Sequence, residues 1–408
     1  VRRLNVIDLF AGAGGLSEGF RQEGFNILAH VEMDKNACNT LRTREAYYYL
    51  KENNKIDLYK KYILNKVNRE QLYKSVPEEI LSKVIESEIN DETIDSIFSE
   101  IDKLIGDKTV DFIIGGPPCQ AYSTAGISRD PNRMKCDPRN YLYLYYIEFL
   151  KEYKPKFFVF ENVKGILTAK KGEIFEGLKG NLDKAGYKMD YKILNSKDFG
   201  VAQSRERVII IGWRKDIEFS YPKFLDESNP PTINELFKDL PKINAGESLN
   251  GIGKYIDTPS KALKNIRDDK WDILTYHVAR PNNKNDLNIY KLVVETWNKE
   301  GKMLKYNELP EHLITHKNSK SFLDRYKIVR ADSQSHTVVA HISKDGHYYI
   351  HPDIEQNRSL SVREAARIQS FPDDFYFESS RTAAFQQIGN AVPPLMARII
   401  AKKIKEAF

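Results

Sequence analysis

The sequence predicts an α/β protein, a doubly wound sheet domain joined to a smaller, mostly irregular or β domain. Three observations carry this expectation. From Leu4 to about Trp213, short apolar runs alternate with stretches whose apolar residues recur at every third or fourth position, the rhythm of strands and covering helices. After Trp213 the texture changes to short segments broken by Pro and Asn, such as YPKFLDESNPPT and ARPNNKND. A chain of 408 residues is also long enough for two or three domains with a full core.

In order, LNVIDLF, NILAHVE, VDFIIGG, KFFVFEN, MDYKILN and RVIIIGW read as the strands of a parallel sheet covered on both faces. Helices are expected at 15–22, 35–45, 141–153 and 172–185. The stretch 42–108 is rich in Glu, Lys, Ile, Leu and Tyr and lacks the strand rhythm, so it reads as a mostly helical insertion between two core strands. Residues 1–213 then form the first domain and 214–375 the second domain with its hinge, while 376–408 return to the first. Within the second, SHTVVAHISKDGHYYIHPD reads as a hairpin turning at Lys344, Asp345 and Gly346. The final segment ends in an amphipathic helix with Leu395, Ile399, Ile400 and Ile404 on its apolar side.

Composition excludes several classes. With 41% hydrophobic and 29% charged residues, the chain is neither disordered nor collagen-like. No apolar run approaches the roughly 18 residues that cross a bilayer, and VRRLNVIDLF opens a strand, so a soluble cytoplasmic protein without membrane contact is expected. Three cysteines, Cys38, Cys119 and Cys136, cannot make a disulfide framework and suit a reducing compartment. A net charge of +6 tolerates a nucleic-acid partner without demanding one. Seven of the eight histidines fall between His277 and His351, but their spacing is no ligand signature, and no metal is expected.

The candidate chemistry collects at strand ends. FAGAGGLSEGF follows the first strand and opens a helix, so Gly12, Gly14 and Gly15 would let backbone approach a ligand, or simply pack tightly. Glu32 ends the second strand at the spacing where an acid meets ribose hydroxyls; Met33 beside it would cover a base or pack. DFIIGGPPCQ places Cys119 just past the third strand, where Gly115 and Gly116 permit close approach and Pro117 and Pro118 stiffen the turn. The alternative for Cys119 is a small buried hydrophobe. Glu161 and Asn162 leave the same edge, as an ion pair or cap or as a carboxyl group able to donate to a ring nitrogen. Gln203, Arg205 and Arg207 alternate into the last strand, which would put both arginines on one face, either solvated or holding an anion.

Taken in order, FAGAGG, VEMD, GGPPCQ, ENV, QSRER, RSLSVREAARIQSFPDDF and QIGNAVPP resemble the motif set of the DNA cytosine-carbon-5 methyltransferases of bacterial restriction-modification type. The resemblance implies a Rossmann-like, S-adenosylmethionine-dependent methyltransferase domain and a target-recognition domain. It implies that Cys119 attacks carbon 6 of a flipped-out cytosine, that Glu161 contacts and protonates ring nitrogen 3, and that carbon 5 then takes the methyl group. Arg205 would meet the cytosine oxygen, Arg207 would support Glu161, and Asn162 would shape the pocket. Around the cofactor it implies Phe10, Ala11, Gly12, Ala13, Gly14 and Gly15, with Glu32 on the ribose and Met33 over the adenine. Gly116 and Pro118 would lie along the methionine part, with Leu142, Asn390 and Val392 completing the wall. The Asp-Ile pair that reaches the adenine amine in the family has no clear counterpart, and Glu88, Asn90 and Asp91 remain alternatives.

The same resemblance makes the loop after Cys119, with Ser123, Arg129, Arg133 and Arg139, a DNA-closing loop. It places base reading in Trp213 to Asn357, where Thr337 and Val338 match the family's Thr-aliphatic pair. That stretch carries 22 Lys and Arg against 21 Asp and Glu, so recognition must rest on local placement of charge. Arg358, Arg363, Glu364 and Arg367 are expected to organise the hinge. The implied partner is double-stranded DNA, bound by a monomer, with a restriction endonuclease acting on the same site. A tRNA methyltransferase of the same superfamily is the alternative, but its Cys-Phe-Thr sequence is missing here. A nicotinamide oxidoreductase would leave the Pro-Pro-Cys-Gln and Glu-Asn-Val edges without a task.

Overall fold

The computed structural model describes residues 2–118, 141–224, 229–249, 253–315 and 321–406. Seven strands form one sheet in the order β3-β2-β1-β4-β5-β7-β6. They are β1 (Asn5–Leu9), β2 (Asn26–Glu32), β3 (Val84–Glu86), β4 (Phe112–Gly115), β5 (Phe157–Asn162), β6 (Tyr187–Asn195) and β7 (Glu206–Arg214). All six expected strands are present. β1 to β5 run parallel, but β7 inserts antiparallel between β5 and β6, so the sheet is mixed. Apolar runs report burial on both faces; they carry no signal for strand direction.

Each strand alternates its apolar residues between two cores. Val6, Phe112, Ile114, Phe157, Val159, Ile209 and Ile211 face helix α1 (Gly15–Gln22) and the C-terminal helix, where Phe20, Ile400 and Ile404 are buried. Ile7, Leu9, Ile113, Phe158, Phe160, Val208 and Ile210 face the helices of the opposite side, among them Ile97, Ile101, Phe149, Leu178 and Leu182. Strand alternation thus becomes a three-layer sandwich.

The stretch 42–108 departs from its expectation. Helix α2 (Lys35–Glu52) runs on past Glu45 into α3 (Ile56–Ile63), α4 (Arg69–Lys74) and α5 (Glu78–Leu81). The chain then makes β3, which pairs with β2 from His30–Val84 to Glu32–Glu86, and α6 (Ile94–Ile105), which covers the sheet. Those last two elements belong to the sheet architecture; a strand of three residues is too short to show a period. The α3–α5 part packs sideways instead. Tyr59, Tyr62 and Leu72 share a cluster with Trp271 and Ile273 of the second half of the chain, and Tyr376 packs at its margin. Tyr62 also donates a 2.6 Å hydrogen bond to Glu378.

Helices α7 (Leu142–Tyr153) and α8 (Glu173–Lys184) fall where expected. After β7 come a short α9 (Ile233–Phe237) and an unanticipated α10 (Lys284–Glu300), capped by Asn283, whose side chain accepts from the Asp286 amide at 2.9 Å. Among the described residues of 215–375, extended pairing is limited to isolated bridges such as Ser248–Val278 and Ile328–Ile350. The expected hairpin is not formed. A 3-10 turn occupies Ala340–Ser343, and Gly346 at φ 75° redirects the chain. Tertiary partners outcompete local pairing here: Val338, Ile342, Tyr349 and Leu360 are drawn into a core shared with α11 (Val362–Ile368) and α12 (Arg381–Asn390).

Arg358, Arg363 and Arg367, expected to organise the hinge, are buried. Arg358 forms a two-pronged pair with Glu364, both bonds at 2.7 Å, and Arg367 binds Asp239 and Asp373 at 2.6 Å. Arg363 reaches backbone carbonyls of Thr275, Pro372 and Phe375. The C-terminal helix α13 (Pro394–Lys405) returns to α1. A Cβ on Gly19 would lie 2.4 Å from the Arg398 amide and 2.5 Å from Ala397, so this close crossing requires glycine. Among the described residues no helix is long and apolar enough to cross a membrane.

Candidate active site

Strand register lines up the functional edge. Val31, Leu9, Gly115, Phe160 and Ile210 are successive cross-strand partners, so Glu32, Phe10, Gly116 and Glu161 follow as a row beyond the carboxyl ends of the parallel strands. β1 and β4 are neighbours although distant in sequence, and the crevice at such a reversal of strand order is where open α/β sheets bind ligands.

The glycine turn is sorted by burial. Phe10, Ala11 and Gly12 are half-buried, whereas Ala13, Gly14 and Gly15 are buried. Gly12, at φ 55°, has open space where a Cβ would project. A Cβ on Gly15 would instead lie 2.2 Å from the Val392 carbonyl, so Gly15 and Val392 close the back of the turn against each other. Glu32 holds the front: its carboxylate accepts from the amides of Gly12 at 2.7 Å, Met33 at 2.9 Å and Asp34 at 2.8 Å. Burial pushes the Glu32 carboxyl upward, and the three amide bonds oppose that shift. An ionised carboxylate offers about four acceptor directions, so one remains for a further donor. Met33 is 60% exposed, Asn390 and Pro118 are exposed, and Leu142 and Gly116 are half-buried.

Of the adenine alternatives, Asn90 spends its side-chain oxygen on the amides of Glu92 and Thr93, and Asp91 accepts from the Tyr145 hydroxyl at 2.8 Å. Glu88 is exposed two residues beyond β3 and precedes the buried Ile89.

At the other end of the row, Glu161 pairs with Arg207 Nε at 2.9 Å, both side chains 13% exposed. A Cβ on Gly116 would stand 2.7 Å from Glu161 Oε2, so the Gly-Gly-Pro-Pro turn lies directly on this carboxylate. The buried Asn162 accepts from the Val163 amide at 2.9 Å and directs its amide nitrogen to the Pro117 carbonyl at 3.5 Å. It therefore couples the two strand ends. Cys119, Ser123, Arg129, Arg133 and Arg139 lie outside the described residues. Cys38 is buried, donates to the Glu32 carbonyl at 3.3 Å, and has its thiol pushed up to about 12, chiefly by burial, so it is no nucleophile.

The second arginine is elsewhere. Arg205 precedes β7 and is 2% exposed, donating to the Val338 carbonyl at 2.6 Å and the Gly389 carbonyl at 3.2 Å. The two arginines have different partners: one serves Glu161, the other the carbonyls of two segments distant in sequence. Val338 is fully buried, and its amide donates to the Gln203 side chain at 2.7 Å. Thr337 donates its hydroxyl to the Ser204 carbonyl at 2.8 Å. In the sequence Gln203 stands only as a neighbour of the arginines, yet it is buried and also bonds Gln369 at 2.8 Å, joining three segments. Nothing in the local pattern marks a junction residue of this kind.

A family model described as C-5 cytosine-specific DNA methylase matches residues 4–77 and 68–406. The chain belongs to the C-5 cytosine-specific DNA methylases. This methylase is 45% identical to the type II methyltransferase M.Bpa9945I of Bacillus paralicheniformis, with 99% of each chain covered. It is 32% identical to the type II methyltransferase M.DdeI of Desulfomicrobium norvegicum, covering 99% of this chain and 89% of that one. The solved structure of a protein encoded within an E. coli prophage shares the fold, with a TM-score of 0.62, 24% identity and 99% coverage of both chains.

Proposed function

We propose that this methylase transfers a methyl group to carbon 5 of a cytosine flipped out of double-stranded DNA, at a specific sequence, through a covalent adduct with Cys119, and that it is the modification half of a restriction-modification system. The observation that carries the reading is the contact between the Gly116–Pro117 turn, which leads into Cys119, and the Glu161 carboxylate held by Arg207. An oriented carboxyl group beside a turn whose sequence continues into a cysteine suits attack at carbon 6 with proton handling at ring nitrogen 3. Asn162 ties the two strand ends. Arg207 acts through Glu161. Arg205 is assigned to the domain junction and not to the cytosine oxygen, because its terminal nitrogens donate to backbone carbonyls.

The open side of the glycine turn fits S-adenosylmethionine, which supplies the methyl group when bound. Gly12 has no neighbour where a side chain would be, Glu32 keeps an acceptor direction for a hydroxyl, and Met33 is exposed beside it. Phe10, Ala11 and Gly12 would contact the cofactor, while Ala13, Gly14, Gly15 and Val392 shape its floor from behind. Gly116, Pro118, Leu142 and Asn390 would complete the wall, and Glu88, exposed just beyond β3, would meet the adenine amine. Ser123, Arg129, Arg133 and Arg139 would contact DNA from the segment after Cys119, and Thr337 would lie behind the reading surface. Relatives named type II methyltransferases support a cognate endonuclease as partner.

Replacing Cys119 with Ala should abolish methyl transfer while S-adenosylmethionine still binds; retained turnover would overturn the mechanism. Duplex DNA bearing 5-fluorocytosine at the target should trap the wild-type protein in a denaturant-resistant complex. Bisulfite sequencing of DNA treated with the purified protein reports the modified base and its context.

A further inference from the structure

We infer that the segment 388–392, where α12 ends, couples occupancy of the glycine turn to the order of residues 337–340, with Gln203 and Gln369 as the positioning residues that carry the coupling. The inference rests on the proposed binding of S-adenosylmethionine at the glycine turn. The segment is wedged between the two regions it would connect. On one side a Cβ on Gly15 would stand 2.2 Å from the Val392 carbonyl oxygen and 3.2 Å from the Ala391 side chain. On the other, a Cβ on Gly389 would stand 2.3 Å from both the Ala340 amide nitrogen and the Val339 carbonyl carbon. Backbone packed on backbone leaves no flexible side chain to absorb a shift.

Hydrogen bonds run from Val338 to the same segment along two routes. The Val338 amide donates to Gln203 Oε1 at 2.7 Å, and Gln203 Nε2 donates to Gln369 Oε1 at 2.8 Å. Gln369 Nε2 then donates to the Ile388 carbonyl at 2.7 Å and reaches the Ala391 carbonyl at 3.4 Å. On the second route the Val338 carbonyl accepts from Arg205, which also donates to the Gly389 carbonyl. Both glutamines are fully buried. Their orientation is fixed from the ends, because a backbone amide can only donate and a backbone carbonyl can only accept. Turning either glutamine over would set like atoms against each other at both of its contacts. A buried polar chain is costly when half satisfied, so this one makes or breaks as a unit. Opening of 337–340 must therefore break bonds that also hold 388–391. A ligand that fixes the glycine turn and Asn390 raises the free energy of that opening. By linkage, whatever orders 337–340 tightens cofactor binding by the same factor.

The test follows hydrogen exchange of the full chain with and without saturating S-adenosylhomocysteine. Amides of residues 337–340 should exchange at least about 5-fold more slowly with the ligand bound, the low end of ordinary coupling between sites. Gln369→Met cuts the chain of bonds at its middle and alters neither segment. In that variant the ligand should still protect residues 10–15 but no longer 337–340. Gln203→Glu keeps the acceptor for Val338 and loses the donor to Gln369, so it should give the same result, and it answers the question if the methionine variant does not fold. Ile289→Ala, in a separate core cluster on α10, controls for lost stability and should keep the effect. Protection of residues 10–15 alone in the wild type, or full protection of 337–340 in the glutamine variants, overturns the inference while the cofactor reading stands. Wild-type protein that does not bind S-adenosylhomocysteine refutes that reading and this inference with it.

Discussion

Replacing Arg207 with Gln should slow methyl transfer in a protein that melts normally, and replacing Arg205 with Gln should do the reverse. Arg207 makes a charge-assisted bond of 2.9 Å to Glu161 in a site where both side chains are 13% exposed. Bonds of that class contribute roughly 1.5–3 kcal/mol, so if the pair persists in the transition state, turnover should fall about 10- to 150-fold. Arg205 is 2% exposed and donates to two carbonyls that a glutamine cannot reach together. Losing both and stranding their acceptors should cost roughly 3–5 kcal/mol. A cooperative chain of this length unfolds with an entropy near 0.9 kcal/mol per degree, so the melting temperature should drop by about 3–6 °C. Single-turnover transfer of a labelled methyl group and thermal melting separate the two outcomes. An Arg205 variant that melts normally but transfers no methyl group, beside an active Arg207 variant, would show that the two roles are interchanged.

Other outcomes follow from the packing and the buried charges. Gly15→Ala should destabilise the protein by at least about 1–3 kcal/mol in denaturant titrations, since the new methyl would meet the Val392 carbonyl at 2.2 Å. Trp271→Ala should cost about 3–5 kcal/mol and increase proteolysis within residues 53–81, because the indole anchors that segment to the second half of the chain. Glu364→Gln should cost about 3–5 kcal/mol by leaving the fully buried Arg358 without its carboxylate partner. His336 is pushed down to about 4, first by burial and then by Lys327. The unfolded chain therefore binds more protons than the folded one between pH 6.5 and 4, and stability falls as pH is lowered through that window. At pH 5 His336 should account for about 2 kcal/mol of the loss, so urea titrations of His336→Phe should show a flatter acid limb than wild type.

Much of the site was legible because its chemistry is local in sequence. Glycines in the first turn, an acid ending β2, Pro-Pro-Cys after β4 and Glu-Asn after β5 are each read within a few residues. The structure adds that register sets them in one row. Most strand positions were legible for the same reason, since a strand set in a longer apolar run announces itself by apolar content alone. β3 did not, because three residues carry no period, and its place at the edge follows from pairing with β2. Helix α10 does carry a signal in the sequence: the Asn283 cap, then Ile289, Tyr290, Val293 and Val294 at helical spacing.

What the sequence by itself determined is the order of strands along the chain, the residue types delivered to their ends, and hence the family. What only the tertiary structure decided is which side chains those residues meet. Arg205 and Arg207 are two positions apart and chemically alike, yet Arg205 finds carbonyls 133 and 184 residues away while Arg207 finds Glu161 on the neighbouring strand. Thr337 and Val338, matched in sequence to the family's Thr-aliphatic pair, bond the Ser204 carbonyl and the Gln203 side chain. The physical reason is that backbone carbonyls are present at every residue, so a buried guanidinium or amide can be satisfied anywhere the fold brings one. Only the packing of the two halves selects the partner.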